Sequence, residues 1–303
     1  MKNKILITGT VAFDDIETPF GSSGKVIGGA GTYIALASSL FTKNLAIVSI
    51  IGEDFPEKEI KFLNSRGVDT KMIEIIKGGK TFYWKGKYHE NMIGRDTLST
   101  ELNVLEKFNP IINSEFSSSE IILLGNLHPL VQNTVINQSS NPKRFIILDT
   151  MNFWMDNALS ELKDVVKKVD LIIINDEEAQ QLTNESNIFN AGNKILKMGP
   201  KKVIIKKGEH GSIYLDSFHK YILPAYPVDS LVDPTGAGDS YAGGIAGFLS
   251  TKQEISFNEI KEAMLFGTLT ASFCVENFGV EGLRNLDYEK LVSRLKIFKS
   301  YIT

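Results

Sequence analysis

Short apolar runs recur along this chain, and between them lie longer stretches with helical periodicity. Ile5–Ile7, Leu45–Ile51, Ile121–Gly125, Phe145–Leu148 and Leu171–Ile174 are rich in isoleucine, leucine and valine, and end at or soon meet Gly, Asp or Asn. Such runs lack the alternation of a half-solvated strand, so they predict strands buried on both faces. Met72–Ile76 and Lys202–Lys206 read as further strands, and Ser212–Leu215 as the hairpin partner of the latter across a Gly208–Gly211 turn. Helices are predicted at about Ala30–Phe41, Glu57–Arg66, Pro129–Gln138, Leu159–Val169, Asp176–Leu182, Ile188–Met198, Ala237–Ser250, Asn258–Val275 and Tyr288–Phe298. This alternation specifies an α/β fold with a mainly parallel central sheet covered by helices on both faces. No linker or low-complexity boundary divides the 303 residues, so one domain over 1–303 is expected.

Residues 78–100 break the pattern. Thr81-Phe82-Tyr83-Trp84-Lys85-Gly86-Lys87-Tyr88-His89 mixes aromatic and polar residues and reads as two short strands around a turn. With about 11–27, where Phe13–Gly21 reads as turns and extended chain, it is expected to form a small exposed sheet that acts as a lid. The aromatic content suggests sheet packing, closure over a ligand, or a homodimer interface.

Composition excludes several classes. The chain is 43% hydrophobic and 23% charged, with a formal net charge of −3 and no basic stripe, so no nucleic-acid partner is expected. Cys274 is the only cysteine, which rules out an internal disulfide framework and suits a reducing cytoplasm. The apolar run after Met1-Lys2-Asn3-Lys4 is too short for a signal peptide, and no membrane span is expected. The four histidines lack metal-ligand spacing, and no Gly-Lys-Ser/Thr phosphate loop is present.

The chemistry concentrates in Asp233-Pro234-Thr235-Gly236-Ala237-Gly238-Asp239, followed by a helix that opens with Ser240-Tyr241-Ala242-Gly243-Gly244. A helix start presents unpaired N–H groups and the positive end of the macrodipole. Glycines allow an anion to approach that backbone, so the stretch reads as a phosphate cradle. It ends in a carboxylate, Asp239, which would repel phosphate unless it has a use. The natural use is to accept the proton of a hydroxyl that attacks phosphorus. Gly9 with Asp14, Gly125 with Asn126, Asp149 and Asn175 sit at or just beyond the predicted carboxyl ends of strands, where ligands gather in open α/β sheets. Asn175-Asp176-Glu177-Glu178 reads first as a helix capping box.

The Asp233–Asp239 stretch resembles the signature of the ribokinase/pfkB family of carbohydrate and nucleoside kinases. Gly28-Gly29 before a small-residue helix resembles that family's N-terminal glycine motif, and the likeness extends over essentially the whole chain. It implies a ribokinase-like three-layer fold with a β-sheet lid, and an ATP- and Mg²⁺-dependent kinase acting on a hydroxyl of a sugar or sugar derivative. Under it Asp239 is the catalytic base, and the Gly236, Ala237 and Gly238 amides form the anion hole. Asp14, Gly28, Gly29, Tyr33 and Asn126 are expected at the acceptor. Asn175, Lys207, Gly208, Gly211 and Thr235 are expected at ATP, with Glu178 and Asn175 near Mg²⁺. Asp233 is expected to order the loop and to approach a monovalent cation such as K⁺. Pro234 stands where the family more usually has Thr; it removes one N–H donor outside the anion hole. Ala12 and Tyr33 stand where ribokinase-like members carry asparagines, which leaves the acceptor open. The alternatives are a nucleoside kinase, with Tyr33 and the aromatic lid serving the base, and a non-catalytic sugar- or nucleotide-binding member of the fold.

Overall fold

The computed structural model describes residues 3–92 and 94–302; Met1, Lys2, Ile93 and Thr303 lie outside the described residues. In chain order the strands are β1 (Ile5–Thr8), β2 (Ala12–Thr18), β3 (Gly21–Gly28), β4 (Leu45–Gly52), β5 (Val68–Ile76), β6 (Tyr83–Tyr88), β7 (Arg95–Glu101), β8 (Ile121–Leu124), β9 (Phe145–Asp149), β10 (Leu171–Asn175), β11 (Lys202–Lys206), β12 (Ser212–Leu215) and β13 (Lys220–Leu223). Among the described residues nine of them form one sheet in the order β13-β12-β11-β10-β9-β8-β1-β4-β5. From β5 to β11 the pairings are parallel; β12 and β13 join antiparallel through tight turns.

The buried runs supply two cores because strand side chains alternate between faces. Ile5, Ile7, Ile47 and Ile173 face the small-residue helices Ala30–Ser38 and Ala237–Leu249 and the helix Phe257–Cys274. Leu6, Val48, Ile122 and Ile172 face the helices Pro129–Gln138, Leu159–Val166 and Ile188–Met198 on the other side. The predicted three-layer arrangement is therefore observed. Helix Ala237–Leu249 is buried along nearly its whole length, and Ser38 Oγ donates to Gly243 O at 2.9 Å to lock it to its neighbour. This fixes the helix start that carries the Asp233–Asp239 stretch.

The second sheet, β3-β2-β6-β7, is built from the two segments expected to form the lid. Two local expectations are corrected here. Phe13–Glu17 lies within strand β2, not in turns, and β2 is half-covered by β3 and β6. The Thr81–His89 stretch is one strand, β6, whose partner β7 begins only at Arg95; the turn falls after Tyr88. A local reading misses this because β6 also pairs in parallel with the distant β2, through Phe13↔Tyr83 to Glu17↔Lys87. The lid's inner face places Ile16, Tyr88 and Met92 in one cluster with Trp84, and it packs on Leu231 and Phe278 of the main body. The short helix Asn152–Asn157 after β9 was also not expected from sequence.

The central strands set the stability. We expect Ile7→Ala, at a position with no solvent exposure, to lower the unfolding free energy by about 2–5 kcal/mol. Urea denaturation of the two proteins measures the difference.

Candidate active site

The loop before helix Ala237–Leu249 is held by one buried side chain. Asp233 is fully buried; its Oδ1 accepts from Thr235 N at 2.8 Å and its Oδ2 from Gly279 N at 2.9 Å. The first bond closes the turn, and the second ties it to the segment after helix Phe257–Cys274. Cys274 Sγ adds a weak bond to Thr235 O at 3.5 Å, and burial pushes that thiol up to about 12. Gly236 then caps the helix with φ 76°, a left-handed conformation that suits glycine. A side chain there would also strike the Tyr33 ring, whose atoms lie about 2.4–2.5 Å from the position of a Cβ.

This geometry revises two expectations. Ala237 N–H donates to Pro234 O at 3.2 Å, so it closes the turn and leaves the anion-hole set. The first-turn N–H groups of Gly238 and Asp239 have no intrahelical partner by geometry, and with the Gly236 N–H they are the amides an anion cradle would use. Tyr33 is 1% exposed, with its ring spent on Gly236. It offers no ring face to a ligand, but its buried hydroxyl has no hydrogen-bond partner.

Asp239 sits in the first turn of the helix, and its Oδ1 is buried without a partner. Burial, then the neighbouring Asp149 and Asp14 carboxylates, push its carboxyl up to about 7 against the opposing pull of Lys206 and Arg95. Asp14 lies on the lid strand β2, 5% exposed, where Gly29 N donates to its Oδ2 at 3.3 Å. Gly28 has to lack a side chain because Asp14 Oδ2 would lie 1.8 Å from a Cβ there. Burial raises Asp14 to about 7 as well. Asp15 points to the opposite face of β2, where Tyr83 Oη donates to it at 3.1 Å and Lys85 pairs with it at 3.5 Å. Alternation thus separates the two aspartates that adjoin in sequence.

On the far side of Asp239 stand residues that sequence reasoning did not place in the site. Lys206, the last residue of β11, pairs with Asp149 at the end of β9 at 3.0 Å, and both side chains are largely covered. Lys206 Nζ lies 2.8 Å from where a Cβ on Gly238 would stand, so the ammonium rests directly against the cradle. Lys207, the lysine expected there, follows at the turn, where its backbone N–H donates to Gly211 O at 2.8 Å. The signal was available: with Val203 and Ile205 packed in one core and Ile204 in the other, strand period two fixes the facing of Lys206. Gly208 and Gly211 occupy the expected turn, both with positive φ. Arg95 of the lid lowers the carboxyls of Asp14, Asp239 and Glu178. It reaches Tyr88 Oη at 3.4 Å, and Tyr88 Oη meets Thr235 Oγ1 at 3.1 Å, which joins the lid to the loop.

Asn175 and Glu178 form the anticipated capping box, with Asn175 N donating to Glu178 Oε2 and Glu178 N donating to Asn175 Oδ1, each at 2.8 Å. Burial also raises Glu178 to about 7. Among the described residues no group of three or more His, Cys, Asp or Glu forms a ready metal cage. The set fits Mg²⁺ nonetheless. Its donors are hard oxygens, the ion needs few direct carboxylates, and a buried carboxylate pushed upward is short of positive charge. Asn126, expected at the acceptor, is engaged by its neighbours: Trp154 Nε1 donates to its Oδ1 at 2.7 Å.

Known proteins resemble this chain in sequence and in fold. Residues 13–284 match the model of the pfkB family of carbohydrate kinases. The cytidine kinase of Thermococcus kodakarensis is 28% identical over 80% of this chain and 88% of its own length. The ribokinase of Staphylococcus aureus is 24% identical over 93% and 96%. Among solved structures, an Escherichia coli protein described as a ribokinase II, in complex with ATP and Mg²⁺, superposes with a TM-score of 0.81 at 18% identity, covering 97% of this chain and 99% of that one. A likeness at that identity speaks for the fold.

The Lys206 arrangement generates a test. Lys206 lowers the Asp239 carboxyl, so Lys206→Met should move it upward and shift the acid limb of kcat/KM to higher pH. Lys206→Arg should keep the limb near its original position. The pH profiles of the three proteins check this.

Proposed function

The chain belongs to the pfkB family of carbohydrate kinases, and from that premise we propose that it transfers the γ-phosphoryl of ATP to a hydroxyl of a sugar or nucleoside, with Asp239 as the general base. The observation that carries this reading is the Asp239 carboxylate itself. It is a buried acid with an unpartnered oxygen in the first turn of a helix whose N–H groups face outward as an anion cradle. A phosphate-binding loop alone needs no acid there. A group raised to about 7 can take a proton from an attacking hydroxyl near neutrality and later release it.

The acceptor hydroxyl would be oriented by Asp14, whose second oxygen is free of the Gly29 bond, together with the orphaned Tyr33 hydroxyl. A carboxylate that accepts two hydroxyl bonds suits a polyol. Across Asp239, the Gly236, Gly238 and Asp239 amides and the Lys206 ammonium would stabilise charge on the moving phosphoryl group. Positioning and fixed charge supply most of the rate in such transfers. Glu178 and Asn175 would hold Mg²⁺, which when bound neutralises phosphate charge. Gly208, Gly211 and Lys207 would border the nucleotide. Thr235, through Tyr88, would report lid position to the loop, and a closed lid excludes water as a competing acceptor.

A non-catalytic binding protein is the weaker reading, because it has no need of Asp239 beside the cradle. Asp233 serves first as a loop staple; a K⁺ role for it would appear as a difference in turnover between potassium and sodium salts. A reducing cytoplasm suits the single buried thiol at Cys274. We also propose a homodimer through the lid, since β7 is one of the two edges of the small sheet and carries Leu98 at 51% exposure. Analytical ultracentrifugation should then give twice the chain mass, with Leu98→Asp shifting the protein to monomer.

The direct test of the mechanism is Asp239→Asn. Turnover should fall by ~10²–10⁴-fold, the scale of general-base loss, while ATP binding by calorimetry persists. Near-normal turnover would remove Asp239 from its role. In the unmodified protein kcat/KM should rise with pH and level off above about 7, because the ionised carboxylate is the active form.

A further inference from the structure

The Asp233 staple is itself held by a distant side chain. Its Oδ2 accepts from Gly279 N, and the chain after Gly279 runs into the short helix Glu281–Arg284. The end of a helix leaves carbonyls open. Here one side chain takes them: the Arg66 guanidinium donates to Leu283 O at 3.4 Å, Arg284 O at 3.1 Å and Leu286 O at 3.0 Å. Arg66 caps helix Glu57–Ser65, and that helix grips the segment a second time. Arg284 Nη2 donates to Glu59 Oε2 at 2.6 Å, and its guanidinium lies 4.2 Å over the Phe62 ring. On its other sides the segment has no slack. A Cβ on Gly282 would stand 2.1 Å from Phe273 O, and one on Gly279 would stand 3.0 Å from Val26 Cγ2 of β3.

An arginine kept for its charge alone would meet a carboxylate. Arg66 instead spends its fork on three backbone carbonyls, and a planar guanidinium with a filled fork fixes position as well as charge. An apolar residue would fill the same space and take those donors away from the carbonyls. The carbonyls belong to the segment that supplies Gly279 N to Asp233. The loop leans on the same stretch through its backbone, since Val232 N and Asp233 N donate to Val275 O at 2.8 and 3.2 Å. A displacement of Gly279 is therefore passed to Thr235 and Gly236 through the carboxylate that bonds both segments. We infer that Arg66 is a positioning residue for phosphoryl transfer: its grip on the Leu283–Leu286 carbonyls sets Gly279, and through Asp233 it sets the amides of the anion cradle. This rests on the kinase reading and adds to it a residue that acts through Asp233.

The test uses the full chain with MgATP or MgADP and no acceptor. Arg66→Met keeps the apolar stem and removes the guanidinium. By calorimetry it should weaken MgATP about tenfold, the scale of one weakened bond to a charged group. MgADP should be little changed, because only ATP carries the phosphate that the cradle amides would hold. Hydrogen exchange should quicken about tenfold in the peptides that carry Thr235 and Gly279 and stay unchanged in β1 and β8. Arg66→Lys puts a single ammonium in place of the planar fork. It should give a smaller change of the same kind, and it carries the test if Arg66→Met does not fold. Lys61→Ala, on the same helix with its side chain 72% exposed, should move neither reading. MgATP and MgADP weakened alike, exchange quickened throughout the chain, or readings that stay unmoved would overturn the proposal and leave the kinase reading standing. If the unmodified protein binds neither nucleotide, the kinase reading fails and exchange decides alone. A change confined to Thr235 and Gly279 then supports the Arg66 clamp on the loop, and any other pattern overturns it.

Discussion

The two backbone bonds accepted by the buried Asp233 carboxylate hold the rest of the site in place. Thr235 N and Gly279 N satisfy both oxygens, so the charge is compensated where an unpaired buried carboxylate would be costly. These bonds fix the turn, the turn fixes Gly236 in its left-handed conformation, and Gly236 aims the first-turn amides outward. Burial of helix Ala237–Leu249 against Ala30–Ser38 makes the aim rigid. A cradle on a solvated helix end would lack that rigidity.

Around this fixed end the protein gathers like charges that repel one another. Asp14, Asp239 and Glu178 are each raised to about 7 by burial, and Asp149 adds to two of them. Lys206 from the sheet and Arg95 from the lid are the cations that oppose this. The two come from different layers, so the electrostatic balance depends on where the lid sits. The Arg95–Tyr88–Thr235 chain of contacts gives that dependence a physical path.

The sheet outlets divide the crevice by chemistry. β10 and β11 deliver Asn175, Glu178 and Lys206, which suit phosphate and a hard cation. The lid strand β2 delivers Asp14, which suits hydroxyls. β8 and β9 are followed by Asn126 and Trp154, which bond each other. Tyr33, which by position could have met the acceptor with its ring, lies instead beneath the loop, with its buried hydroxyl left without a partner.

The α/β class, the main strands and the loop-and-helix start at Asp233–Asp239 were legible in the sequence because they depend on short-range facts. Apolar runs announce burial, and glycines followed by an acid at a helix start announce a cradle. Residues brought together across the sheet were not legible. Lys206 beside Gly238, the Tyr88–Thr235 contact and the Trp154–Asn126 bond join segments far apart in the chain, and no local pattern encodes those distances. The lid was legible as an exception but not in its pairing, since β6 lies parallel to a strand some seventy residues earlier. Sequence by itself therefore determined the fold class and the acid at Asp239. Tertiary structure decided which lysine rests against Gly238, which amide of the loop is engaged and where the Tyr33 ring lies. Those outcomes depend on side-chain facing and on contacts between strand ends, which exist only once the sheet has formed.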